Sequence, residues 1–190
     1  MNHIGRLIRK HRVLAPVAAV SILALVVVGA ALFQPWRLFT SSLVDEAPPL
    51  ASPSMASPTP GVTVTTEPAP PAAPAAAVPL IVSTGSFQSQ EHETTGSAQL
   101  LRLPDGSHVL RLENLASSDG PDVKVWLSSL EAGGDWFKYR GGKFLDLGPI
   151  KATHGNQNYA IPPGTELSDL TTVVLWCDRF SVAFGSAALA

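Results

Sequence analysis

The sequence contains very little cysteine and methionine for its length. Its 190 residues include one cysteine, Cys177, and two methionines, Met1 and Met55. A single cysteine cannot form an internal disulfide, and it excludes paired-cysteine zinc motifs and the Cys-x-x-Cys-His attachment site of a c-type haem. A blue copper site needs histidine near the cysteine and often methionine, but neither residue follows Cys177. The thiol therefore has no obvious metal partner in the sequence.

Signatures of nucleotide and nucleic-acid binding are also missing. The chain has no P-loop, no Gly-x-Ser-x-Gly motif and no internal repeat. Residues 80–190 carry eight Lys or Arg and twelve Asp or Glu, a formal net charge of −4. An acidic domain without a basic run gives no electrostatic reason to bind nucleic acid. We therefore expect no nucleic-acid partner, and the sequence indicates no particular cofactor.

One long apolar run lies near the N-terminus. Val13–Phe33 contains 21 residues without a charge, and as a helix this run spans roughly 30 Å, the thickness of a bilayer core. Four basic residues precede the run, and only Arg37 follows it closely. The positive-inside rule then places residues 1–12 in the cytoplasm as a basic tail and the rest of the chain outside. This pattern predicts a single-pass anchor in the cell membrane over residues 13–33.

A cleaved signal peptide is the alternative for the same run. Val28-Gly29-Ala30 has the small residues that a signal peptidase prefers. Against this interpretation, the apolar run is longer than the usual hydrophobic region of roughly 7 to 15 residues, and it continues through Phe33. The uncleaved anchor is therefore the favoured prediction.

Residues 34–79 have the composition of an extracytoplasmic linker. Ten prolines fall between Ser41 and Pro79, together with only three charged residues. Such a segment has too little bulky apolar surface to offset the entropy of ordering it. We expect a disordered, Pro/Ala-rich stalk that reaches up to roughly 120 Å in the polyproline conformation.

Residues 80–190 have the mixture of a small globular domain, large enough to bury a core without disulfides. No apolar run has a helical period over more than one turn, whereas short runs with strand character alternate with Gly and Pro turns. Predicted strands are 80–87, 97–103, 108–112, 122–127, 150–152 and 158–161, with a hairpin over 136–144. This pattern predicts an all-β sandwich or barrel.

The densest β-branched and aromatic run is Thr171–Gly185. In its first half, Val173, Leu175 and Cys177 alternate with Val174 and Trp176, so both faces are apolar and the strand is expected at the centre of a sheet. In its second half, Phe180, Val182 and Phe184 are expected to share a core face, with Asp178 and Arg179 as the turn. The thiol of Cys177 is therefore expected at the end of a core strand.

Several blocks of this domain occur in the same order in one known family. They include Gly85-Ser86-Phe87, Leu110-Arg111-Leu112-Glu113-Asn114, Gly120-Pro121-Asp122-Val123, Asp146-Leu147-Gly148 and Trp176-Cys177-x-x-Phe180. Through these blocks, residues 83–189 resemble the DM-thirteen domain, an electron-transfer domain that also occurs on bacterial membrane anchors. The resemblance implies an all-β fold and a redox or electron-transfer role for the cysteine, here Cys177.

The surroundings of Cys177 decide between two interpretations of the thiol. A buried, inert thiol is common, because free cysteine is among the most buried residue types. A reactive thiol needs a neighbouring cation, and Arg179 and His92 are the candidates. The resemblance favours an accessible, redox-competent Cys177. Trp176, as core residue or electron relay, and Asp122, in the Gly-Pro-Asp turn, complete the candidate site.

Two classes of function remain open. The first is a membrane-tethered redox module that acts through Cys177 on an extracytoplasmic redox or protein partner. The second is a non-catalytic extracytoplasmic binding or adhesion module whose cysteine is structural.

Overall fold

The computed structural model describes residues 14–36, 40–49 and 78–190. The described residues include one long helix, a short 3₁₀ helix (Lys138–Gly141) and nine strands. The helix is α1 (Leu14–Phe33), and the strands are β1 (Leu43–Asp45), β2 (Leu80–Ser89), β3 (Thr95–Arg102), β4 (His108–Ala116), β5 (Val123–Ser128), β6 (Phe144–Pro149), β7 (His154–Ala160), β8 (Thr172–Cys177) and β9 (Val182–Ala188). The predicted basic tail over 1–12 and residues 50–77 of the predicted linker lie outside the described residues.

All nine strands belong to one curled sheet, a half-barrel, so the predicted all-β fold is confirmed. The strand order is β1-β7-β4-β3-β2-β9-β8-β5-β6. Every neighbouring pair is antiparallel except β1 and β7, which are parallel. The pairing of β2 with β9 joins the two halves of the sheet.

The main core covers one face of the curled sheet, and a smaller cluster covers the opposite face of β5 and β8. Leu110, Leu175 and Phe184 belong to the main core. Trp126 and Trp176 belong to the smaller cluster, because successive residues of a strand point to opposite faces. All six residues of β8 are buried between β5 and β9. The predicted central position of this strand is therefore confirmed.

Four local predictions differ, in whole or in part, from the structure. Phe180 lies in the turn before β9 and is exposed, so it does not share the core face of Val182 and Phe184. Residues 136–144 do not form a hairpin, since the 3₁₀ helix occupies their centre. Residues 43–45, expected within the linker, form β1 on the edge of the sheet. The predicted strand at 158–161 is largely confirmed, since residues 158–160 are the second half of β7, whereas residues 150–152 are not part of a strand.

Helix α1 is long and apolar enough to cross a membrane, and it is the one such helix within the described part of the chain. Its window Pro16–Phe33 is not buried against the sheet. This helix is compatible with either a single-pass anchor or a signal sequence.

Candidate functional site

Cys177 is the last residue of β8 and pairs with Val123 of β5 and Val182 of β9. Its side chain lies in the main core and is 0% exposed. The turn that follows it, residues 178–181, connects β8 to β9 and covers the end of the strand. The structure therefore contradicts the expected accessibility of the thiol, whereas its redox role stays a prediction.

The protein environment disfavours the thiolate form of Cys177. Burial raises the pKa of the thiol above its ordinary value, because an anion is less well solvated inside the core. Hydrogen bonds from the backbone amides of Phe180, Arg179 and Asp122 oppose this rise, and the Asp122 carboxylate adds to it. Cys177 is accordingly a protonated thiol at neutral pH, surrounded by backbone donors that would stabilise negative charge on sulfur.

The two expected cations have other surroundings. The Arg179 side chain is exposed in the turn, and this residue acts on the thiol through its backbone amide. The His92 imidazole lies 2.7 Å from a Glu91 carboxylate oxygen, and its ring packs edge-on against Phe184 with centroids 4.0 Å apart. Its position against Phe184 makes it part of the wall of the core.

Asp178 holds the turn over Cys177 in place. Its carboxylate pairs with the Lys124 ammonium, lies 2.6 Å from an Arg140 guanidinium nitrogen and accepts a hydrogen bond of 3.0 Å from the Trp176 indole. Burial raises the pKa of Asp178, but the hydrogen bonds from Lys124 and Trp176 and the charges of Lys124 and Arg140 hold it below its ordinary value. The backbone N–H of Asp178 also donates to the Asp122 carbonyl at 2.9 Å. These contacts tie the turn to β5 and to the 3₁₀ helix.

Trp176 lies on the opposite face of β8 from the thiol, in a row of aromatic rings. Its ring stacks on Trp126 at 5.0 Å between centroids and meets Tyr139 edge-on at 6.3 Å. Trp126 in turn stacks on Phe144 at 4.0 Å, and Phe144 is 44% exposed. The row therefore runs from a fully buried tyrosine to a ring at the surface.

On the face of the sheet that carries Trp126 and Trp176, some buried polar atoms have hydrogen-bond partners and one does not. The Tyr139 hydroxyl lies 3.0 Å from the Ser186 hydroxyl and donates to the Glu131 carbonyl at 3.3 Å. The Trp126 indole N–H is buried without a hydrogen-bond partner. A buried donor without a partner costs free energy, which the stacking of the Trp126 ring on Trp176 and Phe144 offsets in part.

Asp122, the remaining candidate, lies between the thiol and a surface cavity. The cavity has a volume of about 360 Å³ and a mostly polar lining that includes Ser42, Asp119, Asp122, Lys151 and Thr153. Val123 lines it as well and pairs with Cys177 across the β5–β8 ladder. The cavity is therefore separated from the sulfur by the end of β5.

A family model described as electron transfer DM13 matches residues 86–189, more than half of the chain and nearly the whole sheet after β1. The chain belongs to the DM13 family. No curated protein and no solved structure matches it. The family match agrees with the resemblance in sequence and supports a redox module in general terms, without assigning a role to any residue.

The DM13 domain thus brings Cys177, Trp176 and Asp122 to one end of β8, with the backbone of Arg179 against the sulfur. His92 packs against the Phe184 ring. Sequence reasoning missed Asp178, Lys124 and Trp126. Strand alternation could have found Trp126, which shares its face with Trp176 across the β5–β8 ladder, but nothing local to Asp178 identifies its two basic partners.

Proposed function

We propose that this chain is a membrane-tethered, extracytoplasmic electron-transfer module that acts through Cys177. Membership of the DM13 electron-transfer family supports the redox class. The apolar α1 and the basic residues that precede it support a tether with the N-terminus in the cytoplasm and the DM13 domain outside. The partner is a protein that carries a reducible disulfide.

The proposal rests on the turn between β8 and β9, which lies next to the sulfur of Cys177. The backbone amides of Arg179 and Phe180, in the partly exposed turn at residues 178–181, lie against the sulfur of Cys177. Ser181 within this turn has a φ of 55°, a left-handed conformation that costs a non-glycine residue about 1 kcal/mol. Opening of this turn removes the burial that raises the pKa of the thiol and leaves the sulfur at the end of a rigid strand. The module is therefore protected at rest and reactive when the turn opens.

The chemical step is thiol–disulfide exchange. The thiol gives its proton to solvent, and the Cys177 thiolate attacks one sulfur of the partner disulfide. A bond forms between these two sulfurs while the partner's own S–S bond breaks, and its second sulfur leaves as a thiolate. Cys177 is oxidised to a mixed disulfide and the leaving sulfur is reduced, so atoms and electrons balance.

The rate of thiol alkylation in the native full-length protein tests the proposal. We expect wild type to react slowly with iodoacetamide, and Asp178→Ala to react roughly tenfold faster, because it loses charged hydrogen bonds that hold the turn closed. Asp169→Ala is the matched control, since this exposed carboxylate pairs only with an exposed lysine, Lys143, among the ion pairs of the described residues. Cys177→Ser should abolish labelling. Equal alkylation rates in Asp178→Ala and Asp169→Ala would contradict the proposal that the turn controls access to the thiol.

A non-catalytic binding module is the second candidate, favoured by the full burial and raised pKa of Cys177. On this alternative, the thiol reacts only at the rate of global unfolding, and Cys177→Ser lowers stability without changing the binding activity. Measuring the unfolding rate of each variant under the labelling conditions separates the two functions.

A further inference from the structure

Residues 40–47, here called the strap, are docked along the edge of the sheet formed by β7. Within the strap, β1 runs parallel to β7, with Leu43, Val44 and Asp45 opposite His154, Gly155 and Asn156. The backbone N–H of His154 donates to the Ser42 carbonyl, and the N–H of Glu46 donates to the Asn156 carbonyl, both at 2.9 Å. The strap therefore extends the sheet by one strand.

Side chains fix the strap at both ends of β1. At the start, the Ser42 backbone N–H donates to the Thr153 hydroxyl at 2.9 Å, and that hydroxyl donates to the Ser42 carbonyl at 3.0 Å. At the end, the Glu46 carboxylate accepts from the Lys151 ammonium at 2.6 Å and from the Asn158 backbone N–H at 2.7 Å. Burial raises the pKa of Glu46, but Lys151, Asn158 and Arg111 outweigh it and hold the carboxylate ionised.

The sheet is also built to receive the strap. Arg111 of β4 is only 4% exposed, and its guanidinium donates to the Glu46 carbonyl at 3.0 Å in addition to Glu113 and Asn158. Gly155 has a φ of +102°, and a Cβ at this position would lie 1.9 Å from the Val44 carbonyl oxygen. A buried guanidinium thus binds the Glu46 carbonyl, and a glycine leaves room for the Val44 carbonyl. This specific fit distinguishes the strap from a linker that only touches the sheet.

Because the strap is docked on the sheet, residues 50–77 connect two parts of the same domain and do not connect the helix to the domain. Only the residues between Phe33 and Ser42 separate α1 from the strap, and fully extended they span at most about 30 Å. The segment from residue 50 to residue 77 starts next to the strap and ends next to β2, so both of its ends are attached to the same sheet. Phe33 at the end of α1 also stacks on Phe180 of the turn over Cys177, with centroids 6.1 Å apart.

We propose that the strap locks the DM13 domain beside the outer surface of the membrane, and that residues 50–77 are a side loop of the domain instead of a stalk beneath it. The membrane part of this inference rests on the proposed tether. Its consequence is that Ser42, where the strap joins the sheet, stays within about 30 Å of the end of α1, so the partner is a protein of the same membrane or one bound to it. A stalk through residue 79 would permit a far longer reach.

Cleavage of the side loop in the full-length chain tests the proposal. A specific protease site is inserted between Pro60 and Gly61, and an affinity tag is placed at the N-terminus. After cleavage in membranes, we expect the domain to stay in the membrane fraction, and after cleavage in detergent, we expect it to be captured with the N-terminal fragment. Release of the wild-type domain in detergent would overturn the strap.

Three variants test whether contacts of the strap cause the domain to stay with the N-terminal fragment after cleavage. Gly155→Ala should release the domain after cleavage, because its Cβ meets the Val44 carbonyl, whereas Gly148→Ala should not. Gly148 is the matched control, with a φ of +99° and open space around its Cβ position. Glu46→Ala, which alters only the strap, should raise the released fraction at least tenfold even if Gly155→Ala does not fold. Retention in all four proteins would also contradict the strap.

The two proposals fail in different ways. An uncleaved chain that is absent from the membrane fraction refutes the tether alone, since capture in detergent still decides whether the strap is docked. A chain in the membrane fraction whose domain is released on cleavage refutes the strap alone.

Discussion

At the scale of single residues, the fold opposes the ionisation of several buried acids, and Tyr159 is the clearest case. Its ring is 4% exposed, and its hydroxyl donates to Gln157 at 2.7 Å and accepts from the Lys151 backbone N–H at 3.0 Å. Burial raises the pKa of Tyr159 to about 12 from an ordinary value of 10.0. A raised pKa for an acid means that the native state keeps a proton that the unfolded chain loses.

Stability should therefore fall in alkali. Below pH 10, Tyr159 is protonated in both states and has no effect, but between about pH 10 and 12 it lowers the unfolding free energy by about 1.4 kcal/mol per pH unit. Urea unfolding of wild type and Tyr159→Phe at pH 9, 10.5 and 11.5 measures this slope. The slope should be shallower in Tyr159→Phe, with a remainder from Tyr139 and Cys177, whose pKa values burial also raises. Identical slopes would contradict the assignment.

The sequence predicted the position of Cys177 but not its environment. Alternation along Val173, Leu175 and Cys177 was enough to place the thiol on a core face of a central strand. Whether the sulfur reached the surface depended on the following turn, and strand patterns carry no information about how a turn folds back. The role of Arg179 as a cation stays a prediction, and in the structure this residue contacts the sulfur through its backbone amide.

At the scale of elements, the turn between β8 and β9 stores strain that a substitution can remove. Ser181→Gly should raise the unfolding free energy by about 0.5 to 1 kcal/mol. Glycine adopts the left-handed conformation without steric cost, but it loses more chain entropy on folding, which reduces the gain. Asn114→Gly is the control, since Asn114 also has a positive φ of 49° but asparagine tolerates it. Urea midpoints compare the variants. A drop in stability of Ser181→Gly would show that the serine side chain compensates for the strain.

Elements with clear alternation were predicted well, and those that depend on distant partners were not. β5 and β8 follow the expected pattern almost residue by residue. The Gly141-Gly142 pair within residues 136–144 predicts a hairpin, but the Tyr139 hydroxyl donates to Ser186 of β9 and residues 138–141 form a 3₁₀ helix. The sequence pattern does not predict β1, because its partners in β7 lie 111 residues away in sequence.

At the scale of the whole molecule, the DM13 domain should fold without the helix, and the strap should stabilise it. Residues 78–190 contain eight of the nine strands and the entire main core, so this fragment should give a β-type circular dichroism spectrum without metal or disulfide. A fragment over 40–190 should be more stable by about 1–3 kcal/mol, from its additional hydrogen bonds less the entropy of ordering the strap. Equal urea midpoints, or a disordered spectrum of 78–190, would contradict this.

The pairing of β2 with β9 has a consequence for how the molecule is made. Phe87, Gln88 and Ser89 lie opposite Ala187, Ser186 and Gly185, so the joint between the two halves of the sheet links residues about a hundred positions apart. During synthesis, β2, β3 and β4 emerge early and can form a local meander, but the half-barrel cannot close before residues 182–188 have left the ribosome. Contacts of such separation require a large loop to close first, and sheets of this kind fold in roughly milliseconds to seconds. A chain exported through a membrane pore would therefore still be open when its last strand arrived, and the centre of the sheet would be the last part to form.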